Sequence, residues 1–254
     1  MSACSRRLWL SPRPDLEAAT ARVSVSSPLS YRIAHLFCSL ILHLLFNFEI
    51  SGKANVHLHR PYLAVANHLN WLDSFALLVA MPRDPRVHLL GWSGVTSSSR
   101  LAWLIHVTKV GFIPVERDPH RRAQQRRQLR DSLTQCLARG YPLAIFPEGQ
   151  VGCDEGRVGT FMPGFAHLSL STGAPVVPVA FSGTRELWLR KRIRIDIGPP
   201  IDPDCSSGDA LVDKARDALC DLMPRYNDPG GLKLFRRRLT RLIPSLTNWS
   251  SSDL

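Results

Sequence analysis

Residues 62–73 have the sequence YLAVANHLNWLD, in which an apolar run leads into a histidine and an aspartate. The apolar run of residues 62–66 predicts a buried β-strand, and the apolar residues after Asp73 predict an α-helix. His68 and Asp73 are five positions apart, so on one unbroken helix they would point roughly 140° away from each other. The helix must therefore begin after His68 if the two side chains are to meet.

Asn70 is a suitable N-cap for that helix and would place Asp73 at the third helical position, where an acid also suits the helix dipole. His68 then lies in the turn and can fold back towards the Asp73 carboxylate. An imidazole held by a carboxylate is the arrangement of a general base that acts on a hydroxyl. Taken alone, the pattern also fits an aspartate that only caps its helix and a histidine that is an ordinary turn residue.

The composition limits the class of protein. With 254 residues, of which 44% are hydrophobic and 21% charged, the chain is long enough for one large α/β domain. A net charge of +11 favours a polyanionic partner such as nucleic acid, an anionic bilayer or a phosphorylated small molecule. Nucleic acid is not expected, because the basic residues are not interleaved with aromatic ones. The cysteines, at positions 4, 38, 136, 153, 205 and 220, predict neither a metal site nor a disulfide framework.

Strand candidates alternate with helical segments along the chain. The predicted strands are residues 54–58, 62–66, 87–90, 112–115, 143–146, 176–181 and 193–197. The predicted helices are the segment after Asp73 and residues 101–107, 120–138, 164–171 and 209–223. Strands separated by helices predict an α/β fold with a mostly parallel central sheet flanked by helices. Polar residues at the carboxyl ends of such strands are candidates for a ligand site.

Two segments outside this pattern have features of membrane-binding elements. Residues 33–48 are strongly apolar, but these 16 residues contain His35, His43 and Asn47 and are short and polar for a span of about 20 residues. They fit a helix in a membrane interface, or equally a helix packed on the domain. Residues 232–246 carry apolar residues at spacings of three and four opposite lysine and arginine, which predicts a basic amphipathic helix lying on a membrane or in solvent.

These features divide the chain into four segments. Residues 1–30, rich in serine, alanine, arginine and proline, are expected to form a flexible N-terminal arm. Residues 31–50 are expected to form an apolar membrane-associating helix, residues 51–225 the α/β domain and residues 226–254 a basic amphipathic tail. The fold prediction therefore includes an N-terminal membrane-binding helical element.

Four motif blocks stand at the ends of predicted elements. They are Asn67-His68 with Asp73, residues 111–117 (GFIPVER), residues 146–149 (FPEG) and residues 176–179 (VVPV). Each block is weak alone, but their order and spacing resemble the glycerolipid acyltransferase family, typified by the 1-acylglycerol-3-phosphate acyltransferases. The resemblance covers roughly residues 33–200.

The resemblance implies transfer of a fatty acyl group from a thioester of coenzyme A or acyl-carrier protein to a hydroxyl of a lysophospholipid. The acceptor implied first is 1-acylglycerol-3-phosphate, in phospholipid biosynthesis or remodelling. The thioester is a co-substrate, and neither a cofactor nor a metal is expected. Residues 51–225 would form the acyltransferase domain, associated with the cytoplasmic face of a membrane. The expected partners are thus the lysophospholipid, the acyl thioester and an anionic membrane surface.

The resemblance also implies roles for individual residues. His68 matches the family's general base and Asp73 the acid that orients it, while Arg117 matches an arginine that contacts the acceptor phosphate. Glu148 and Gly149 match the acceptor-binding turn. The other residues expected to bind substrate are neighbours in the same motifs, namely Asn70, Phe146, Pro147 and Gln150.

The chemistry of the reaction supports this assignment independently. A lipid hydroxyl is a poor nucleophile and needs a base to take its proton while it attacks the thioester carbonyl. A neutral imidazole, with an ordinary pKa of about 6.5, can do this at neutral pH, and a carboxylate stabilises the imidazolium that forms. No enzyme nucleophile is required. Backbone N–H groups near the start of the helix after His68 are candidates for stabilising the oxyanion.

Two departures from the family pattern leave the acceptor open. Family members usually follow the Pro-Glu-Gly turn with threonine and arginine, where this chain has Gln150 and Val151. A lysine often precedes the next helix glycine, where this chain has Met162. The alternatives are another lysolipid acceptor, a catalytically silent lipid-binding relative, or a hydrolase that uses the pair on water. The hydrolase lacks support, because the chain has no Gly-x-Ser-x-Gly nucleophile motif.

Overall fold

A computed structural model describes residues 26–94, 99–116, 119–152, 154–204, 207–223 and 232–242. Arg117, most of the predicted N-terminal arm and the end of the predicted basic tail lie outside these ranges. Within them, a central β-sheet has helices packed on both faces.

The strands are β1 Asn47–Ser51, β2 Leu63–Ala66, β3 His88–Trp92, β4 Gly111–Val115, β5 Leu143–Ile145, β6 Val176–Ser182 and β7 Arg192–Ile197. They form one sheet in the order β1-β7-β6-β2-β5-β3-β4. Neighbouring strands are parallel except for β6 and β7, which are antiparallel. The predicted α/β fold with a mostly parallel sheet flanked by helices is confirmed.

The helices are α1 Leu29–Leu45, α2 Leu72–Ala80, α3 Ser99–Thr108, α4 Pro119–Ala138, α5 Gly164–Thr172, α6 Gly208–Leu222 and the short α7 Arg236–Thr240. Side chains from α1 and α2 form one hydrophobic cluster with one face of the sheet. Side chains from α4, α5 and α6 form a second cluster on the other face. The α1 helix also contacts α3.

The middle strand β2 is buried on both of its faces. Ala64 and Ala66 belong to the first cluster, whereas Leu63 and Val65 belong to the second, and none of the four exposes any surface. A strand covered on both sides needs no polar face, which explains its continuous apolar sequence. Its carboxyl end leads directly into the turn that carries His68.

Residues 54–58 were predicted as a strand, but the chain forms a 3₁₀ helix at Lys53–Val56. The side-chain amide of Asn55 donates to the Ile197 carbonyl oxygen at 2.8 Å, and its backbone N–H donates to the Gly52 oxygen at 2.9 Å. These bonds satisfy the backbone locally and dock the turn on the end of β7. The strand prediction was wrong because a side-chain hydrogen bond competes successfully with extended structure here.

The predicted helical segment of residues 31–50 also ends earlier than expected. The α1 helix stops at Leu45, and Asn47–Ser51 form the edge strand β1, paired with β7. Phe48 and Ile50 pack against the first cluster while their neighbours are exposed. This is the alternation of a half-buried strand, which an apolar run continuing from the helix had concealed.

The flexible arm predicted for residues 1–30 does not extend through Ser27. This buried residue donates its hydroxyl to the Arg83 carbonyl oxygen and its backbone N–H to Asp84 Oδ1, both at 2.6 Å. Its hydroxyl also accepts the Arg86 N–H at 3.0 Å. The start of α1 is therefore fixed to the loop that leads into β3.

The basic helix predicted for residues 232–246 is present, within the described residues, only as the short helix α7. Phe235, immediately before it, has a φ of 58°, in the left-handed region. A non-glycine residue in that conformation interrupts a helix, so residues 232–235 cannot continue α7 towards the N-terminus.

Candidate active site

Asn67 fixes the point at which the chain leaves the sheet. Its buried side-chain amide accepts the Phe181 N–H at 2.8 Å and donates to the Phe181 carbonyl oxygen at 3.1 Å. These two bonds to β6 extend the strand pairing beyond Ala66, so the backbone groups of Phe181 remain satisfied. The turn that follows therefore starts from a rigid position.

His68 and Asp73 are in direct contact, with His68 Nδ1 and Asp73 Oδ2 2.9 Å apart. The Asp73 side chain is fully buried, and the His68 side chain is 16% exposed. The same Asp73 oxygen accepts the backbone N–H of Leu69 at 2.5 Å and that of Asn70 at 2.7 Å. Hydrogen bonds from two backbone N–H groups fix the carboxylate, and the carboxylate in turn fixes the orientation of the imidazole.

Asn70 does not cap the helix, so that prediction was wrong. The α2 helix begins at Leu72 and is preceded by Trp71, which makes no side-chain capping bond. Asp73, in the first helical turn, reaches back to the N–H groups of Leu69 and Asn70, which precede the helix. The Asn70 amide instead donates to the Arg185 carbonyl oxygen at 2.9 Å, which ties the turn to the loop after β6.

The imidazole of His68 stacks on the ring of Phe146. The ring centroids are 4.3 Å apart and the planes differ by 20°. Phe146 directly follows β5, the strand next to β2, so the adjacent strand ends place the two rings together. Because Asp73 engages Nδ1, Nε2 is the ring nitrogen available to take a proton from a bound molecule.

The loop after β5 holds the backbone of His68. The backbone N–H groups of His68 and Gly159 lie next to the buried Glu148 carboxylate and favour its charged form. The Gly152 N–H donates to the His68 carbonyl oxygen at 2.6 Å. A Cβ atom at Gly159 would lie 2.8 Å from Glu148 Oε2, so a side chain there would displace the carboxylate.

Glu148 is directed inwards, at peptide groups. Burial raises the pKa of its carboxyl group, while the backbone N–H groups of His68 and Gly159 oppose that rise. Among the described residues, nothing donates a hydrogen bond to Oε1. A buried acid held in this way is suited to positioning the histidine backbone.

The rest of this turn is tightly constrained. The Gly149 N–H donates to the Phe146 carbonyl oxygen at 3.1 Å, and the Met162 N–H donates to the Pro147 oxygen at 2.8 Å. Gly149 has a φ of 69°, and a Cβ atom there would lie 2.6 Å from Met162 Cε. Both observations favour glycine. Gln150, the next residue, is exposed.

A second anchor of the site was not found from the sequence. Glu155 accepts the Gly183 N–H at 2.6 Å and the Arg185 N–H at 3.3 Å, and burial raises the pKa of its carboxyl group. Arg185 in turn holds Asn70 through its carbonyl oxygen, while its guanidinium lies 3.7 Å from Asp154 Oδ1. An isolated acid in a loop matches no motif, so only the fold reveals this connection.

The fold therefore gathers the predicted site residues, apart from Arg117, at the carboxyl ends of β2 and β5. The residues so placed are His68, Asn70, Asp73, Phe146, Pro147, Glu148, Gly149 and Gln150. Arg117 lies outside the described residues.

The chain is similar in sequence to proteins named 1-acyl-sn-glycerol-3-phosphate acyltransferases. The chain is 26% identical over 204 residues to the chloroplastic 1-acyl-sn-glycerol-3-phosphate acyltransferase LPAT1 of Arabidopsis thaliana, a match that covers 75% of this chain and 53% of the relative. It is 24% identical over 209 residues to human 1-acyl-sn-glycerol-3-phosphate acyltransferase alpha, covering 75% of this chain and 70% of that protein. The chain thus spans about half the length of the Arabidopsis relative.

The fold is also similar to a solved structure. The crystal structure of the 1-acyl-sn-glycerophosphate (LPA) acyltransferase PlsC from Thermotoga maritima matches with a TM-score of 0.63 and 20% sequence identity, covering 78% of this chain and 81% of that one. A model of the Acyltransferase family matches residues 47–182, which span the sheet from β1 to β6 and include the His68–Asp73 turn. Since this match covers more than half of the 254 residues, the chain belongs to the Acyltransferase family.

Proposed function

We propose that this protein transfers a fatty acyl group from an acyl thioester of coenzyme A or acyl-carrier protein to the free hydroxyl of 1-acylglycerol-3-phosphate. The observation that carries the proposal is the 2.9 Å contact between His68 Nδ1 and the fully buried Asp73 carboxylate. The names of the relatives, which are 1-acyl-sn-glycerol-3-phosphate acyltransferases, support the choice of acceptor.

The proposed reaction needs one base and no covalent enzyme intermediate. His68 Nε2 takes the proton of the acceptor hydroxyl as the hydroxyl oxygen attacks the thioester carbonyl carbon. The tetrahedral intermediate then collapses, the carbon–sulfur bond breaks, and the proton passes from the imidazolium to the departing thiolate. The products are phosphatidate and a free thiol. The Asp73 carboxylate stabilises the imidazolium while it exists.

Some backbone N–H groups of the turn that carries His68 are already hydrogen-bonded and cannot stabilise the oxyanion. Asp73 Oδ2 occupies the N–H groups of Leu69 and Asn70. The oxyanion donors expected near the start of α2 are therefore not these two groups. The same bonds are useful in another way, because they hold His68 at one angle to the acceptor and so reduce the loss of entropy on reaching the transition state.

Arg185 is our candidate among the described residues for binding the acceptor phosphate. Its backbone is bonded to Asn70 of the catalytic turn, and its guanidinium is half exposed. Its ion pair with Asp154 is 3.7 Å long and exposed, so a phosphate can replace this partner at little cost. Arg185 would thus supply the charge that Gln150 and Met162 do not, together with Arg117. Glu148, which faces inwards, would position the base instead of contacting the phosphate.

The proposed location is a membrane surface, at the anionic cytoplasmic leaflet that suits a net charge of +11. Seven large hydrophobic side chains of α1 are exposed, namely Leu29, Ile33, Leu36, Phe37, Leu40, Ile41 and Leu44. Trp103 and Val107 of the adjoining α3 are exposed as well. Such a surface suits a helix lying in the interface. Among the described residues, no helix is long and apolar enough to cross a bilayer.

The proposal is tested by giving the purified protein oleoyl-CoA with lysophosphatidic acid, lysophosphatidylcholine or monoacylglycerol and identifying products by mass spectrometry. We expect phosphatidic acid, formed by the wild type and not by His68→Ala. Better acylation of lysophosphatidylcholine would favour another lysolipid acceptor, an alternative suggested by the missing arginine after Gly149. Release of free fatty acid without lipid product would contradict acyl transfer and indicate a hydrolase. Binding without turnover would indicate a silent lipid-binding protein.

A further inference from the structure

Residues 232–242 form a strap that is fixed to the body of the protein, and we call this segment the C-terminal strap. The Leu189 N–H donates to the Leu234 carbonyl oxygen at 3.1 Å, and the Leu187 N–H donates to Thr240 Oγ1 at 2.9 Å. The indole N–H of Trp71 donates to the Leu239 carbonyl oxygen at 3.0 Å. These bonds run to the loop after β6 and to Trp71, which follows Asn70 and immediately precedes α2.

The outer side of the strap combines positive charge with exposed apolar surface. Its exposed basic residues are Arg236, Arg237, Arg238 and Arg241. Its exposed apolar residues are Leu232 (83%), Leu234 (47%), Phe235 (57%) and Leu242 (38%). One of the four guanidinium groups, that of Arg236, pairs with Glu186 at 2.7 Å. The strap therefore keeps a strong positive charge after this pairing.

The strap lies on the same side of the sheet as the apolar surface of α1. Leu239 packs against the first hydrophobic cluster, which also contains Leu42 and Phe46. The loop that the strap binds is joined to the end of α1 as well, because Arg190 donates its backbone N–H to the Leu45 oxygen at 2.6 Å and its guanidinium to the His43 oxygen at 3.0 Å. A flat partner that covers α1 can therefore reach the strap too.

We infer that the C-terminal strap binds the anionic headgroups of a lipid bilayer and, through its bond to Trp71, holds the catalytic turn at a fixed position above that surface. Arginines attract the phosphate groups of the bilayer, and each adds to the binding. Transfer of the exposed Leu232 and Phe235 side chains from water into the bilayer interface is favourable. A nucleic acid would use the arginines but would leave the leucines in water, so the bilayer fits both features of the strap.

The test compares two full-length triple variants with equal loss of charge. The first, R237Q/R238Q/R241Q, removes three exposed arginines from the strap, and the control, R126Q/R127Q/R130Q, removes three from α4 on the other side of the sheet. Binding is measured by flotation with phosphatidylcholine vesicles that either contain or lack phosphatidylglycerol. We expect the strap variant to bind the anionic vesicles on the order of 100-fold more weakly, since each arginine contributes roughly fivefold.

The strap variant should bind the neutral vesicles like the wild type, because the apolar surface of α1 is unchanged. The wild-type preference for anionic vesicles should also weaken in high salt. An equal loss of anionic binding in both triple variants would overturn the inference, because it would show a general effect of net charge. Unchanged vesicle binding with lost binding to an RNA oligonucleotide would overturn it as well.

Turnover tests the second part of the inference, which rests on the proposed function. With a short-chain lysophosphatidic acid dissolved as monomers, the strap variant should retain wild-type turnover, since its substitutions do not touch the site. With the acceptor embedded in anionic vesicles, its turnover should fall together with its binding. Wild-type turnover by the strap variant on embedded acceptor would overturn the positioning role. Failure of the wild type with every acceptor would refute the proposed function, while the vesicle binding would still decide the inference on the strap.

Discussion

The backbone N–H of His68 lies next to the buried carboxylate of Glu148 and favours its charged form, so the acid of the Pro-Glu-Gly turn and the candidate base are neighbours. The other side of the same histidine is held by the Gly152 N–H, at 2.6 Å from the His68 carbonyl oxygen. The loop after β5 thus contacts the backbone of His68 on both sides. We therefore propose that Glu148 positions His68.

Glu148→Gln separates positioning of His68 from binding of the acceptor. The amide keeps the size of the side chain but replaces one carboxylate oxygen with an NH₂ group, which cannot accept a hydrogen bond from a backbone N–H. We expect kcat to fall about tenfold while KM for lysophosphatidic acid stays within about twofold. Steady-state kinetics provide the measurement, with thermal unfolding as the control for folding. A rise in KM at unchanged kcat would show that Glu148 contacts the acceptor.

His68→Ala removes the base and should lower kcat by roughly two to four orders of magnitude. Asp73→Asn should also reduce kcat strongly, but less than His68→Ala, because the histidine remains. Since the Asp73 carboxylate also holds the N–H groups of Leu69 and Asn70, Asp73→Asn should in addition lower the free energy of unfolding. Stopped assays and urea unfolding check both effects. Acyl transfer at the normal rate by folded His68→Ala would sink the mechanism.

The sequence was sufficient where local pattern decides the structure. The continuous apolar run before Asn67 predicted β2, and the spacing of His68 and Asp73 predicted a turn between strand and helix that brings them together. It was insufficient where two local signals compete. Asn70 has the residue type of an N-cap, yet its side-chain amide binds the Arg185 carbonyl oxygen, and the Asp73 carboxylate binds the Asn70 backbone N–H.

Contacts between distant segments were beyond the reach of the sequence. Glu155 binds the N–H of Gly183, 28 residues further along the chain, and Trp71 binds Leu239, 168 residues away. Neither contact has a period or a motif in the sequence, because each depends on which distant segments the fold brings side by side. The inward orientation of the Glu148 side chain was also beyond the reach of the sequence, because it depends on how the loop after β5 packs against the turn that carries His68.

A partly buried histidine outside the site predicts how stability depends on pH. The ring of His88, on β3, packs against Tyr141 at a centroid distance of 4.6 Å. Burial, assisted by the charge of Arg86, lowers its pKa from the ordinary 6.5 to about 4. The unfolded chain therefore binds this proton at a higher pH than the folded one. Stability present above about pH 6.5 is lost as the pH falls towards 4.

Allowing for the partial exposure of His88, we expect a loss of about 1 kcal/mol from this residue between about pH 7 and pH 5. Urea unfolding of the wild type and His88→Gln at both pH values measures it. The variant should show the smaller pH dependence. His59→Gln, which alters an exposed histidine, is the matched control and should behave like the wild type. An equal pH dependence in all three proteins would contradict the role of His88.

Arg185 provides the sharpest test of the acceptor. Its backbone is bonded to Asn70 of the catalytic turn, whereas Arg157 pairs with the same Asp154, at 3.5 Å, from a more exposed position. Loss of a charged hydrogen bond to the acceptor phosphate costs about 1.5 to 3 kcal/mol, so Arg185→Ala should raise KM for lysophosphatidic acid roughly 10- to 150-fold. Arg157→Ala should change it much less, and KM for monoacylglycerol, which has no phosphate, should respond to neither. An equal rise of KM for lysophosphatidic acid in both variants would indicate that the loop attracts the phosphate only through its overall charge. An unchanged KM in Arg185→Ala would show that other residues bind the phosphate.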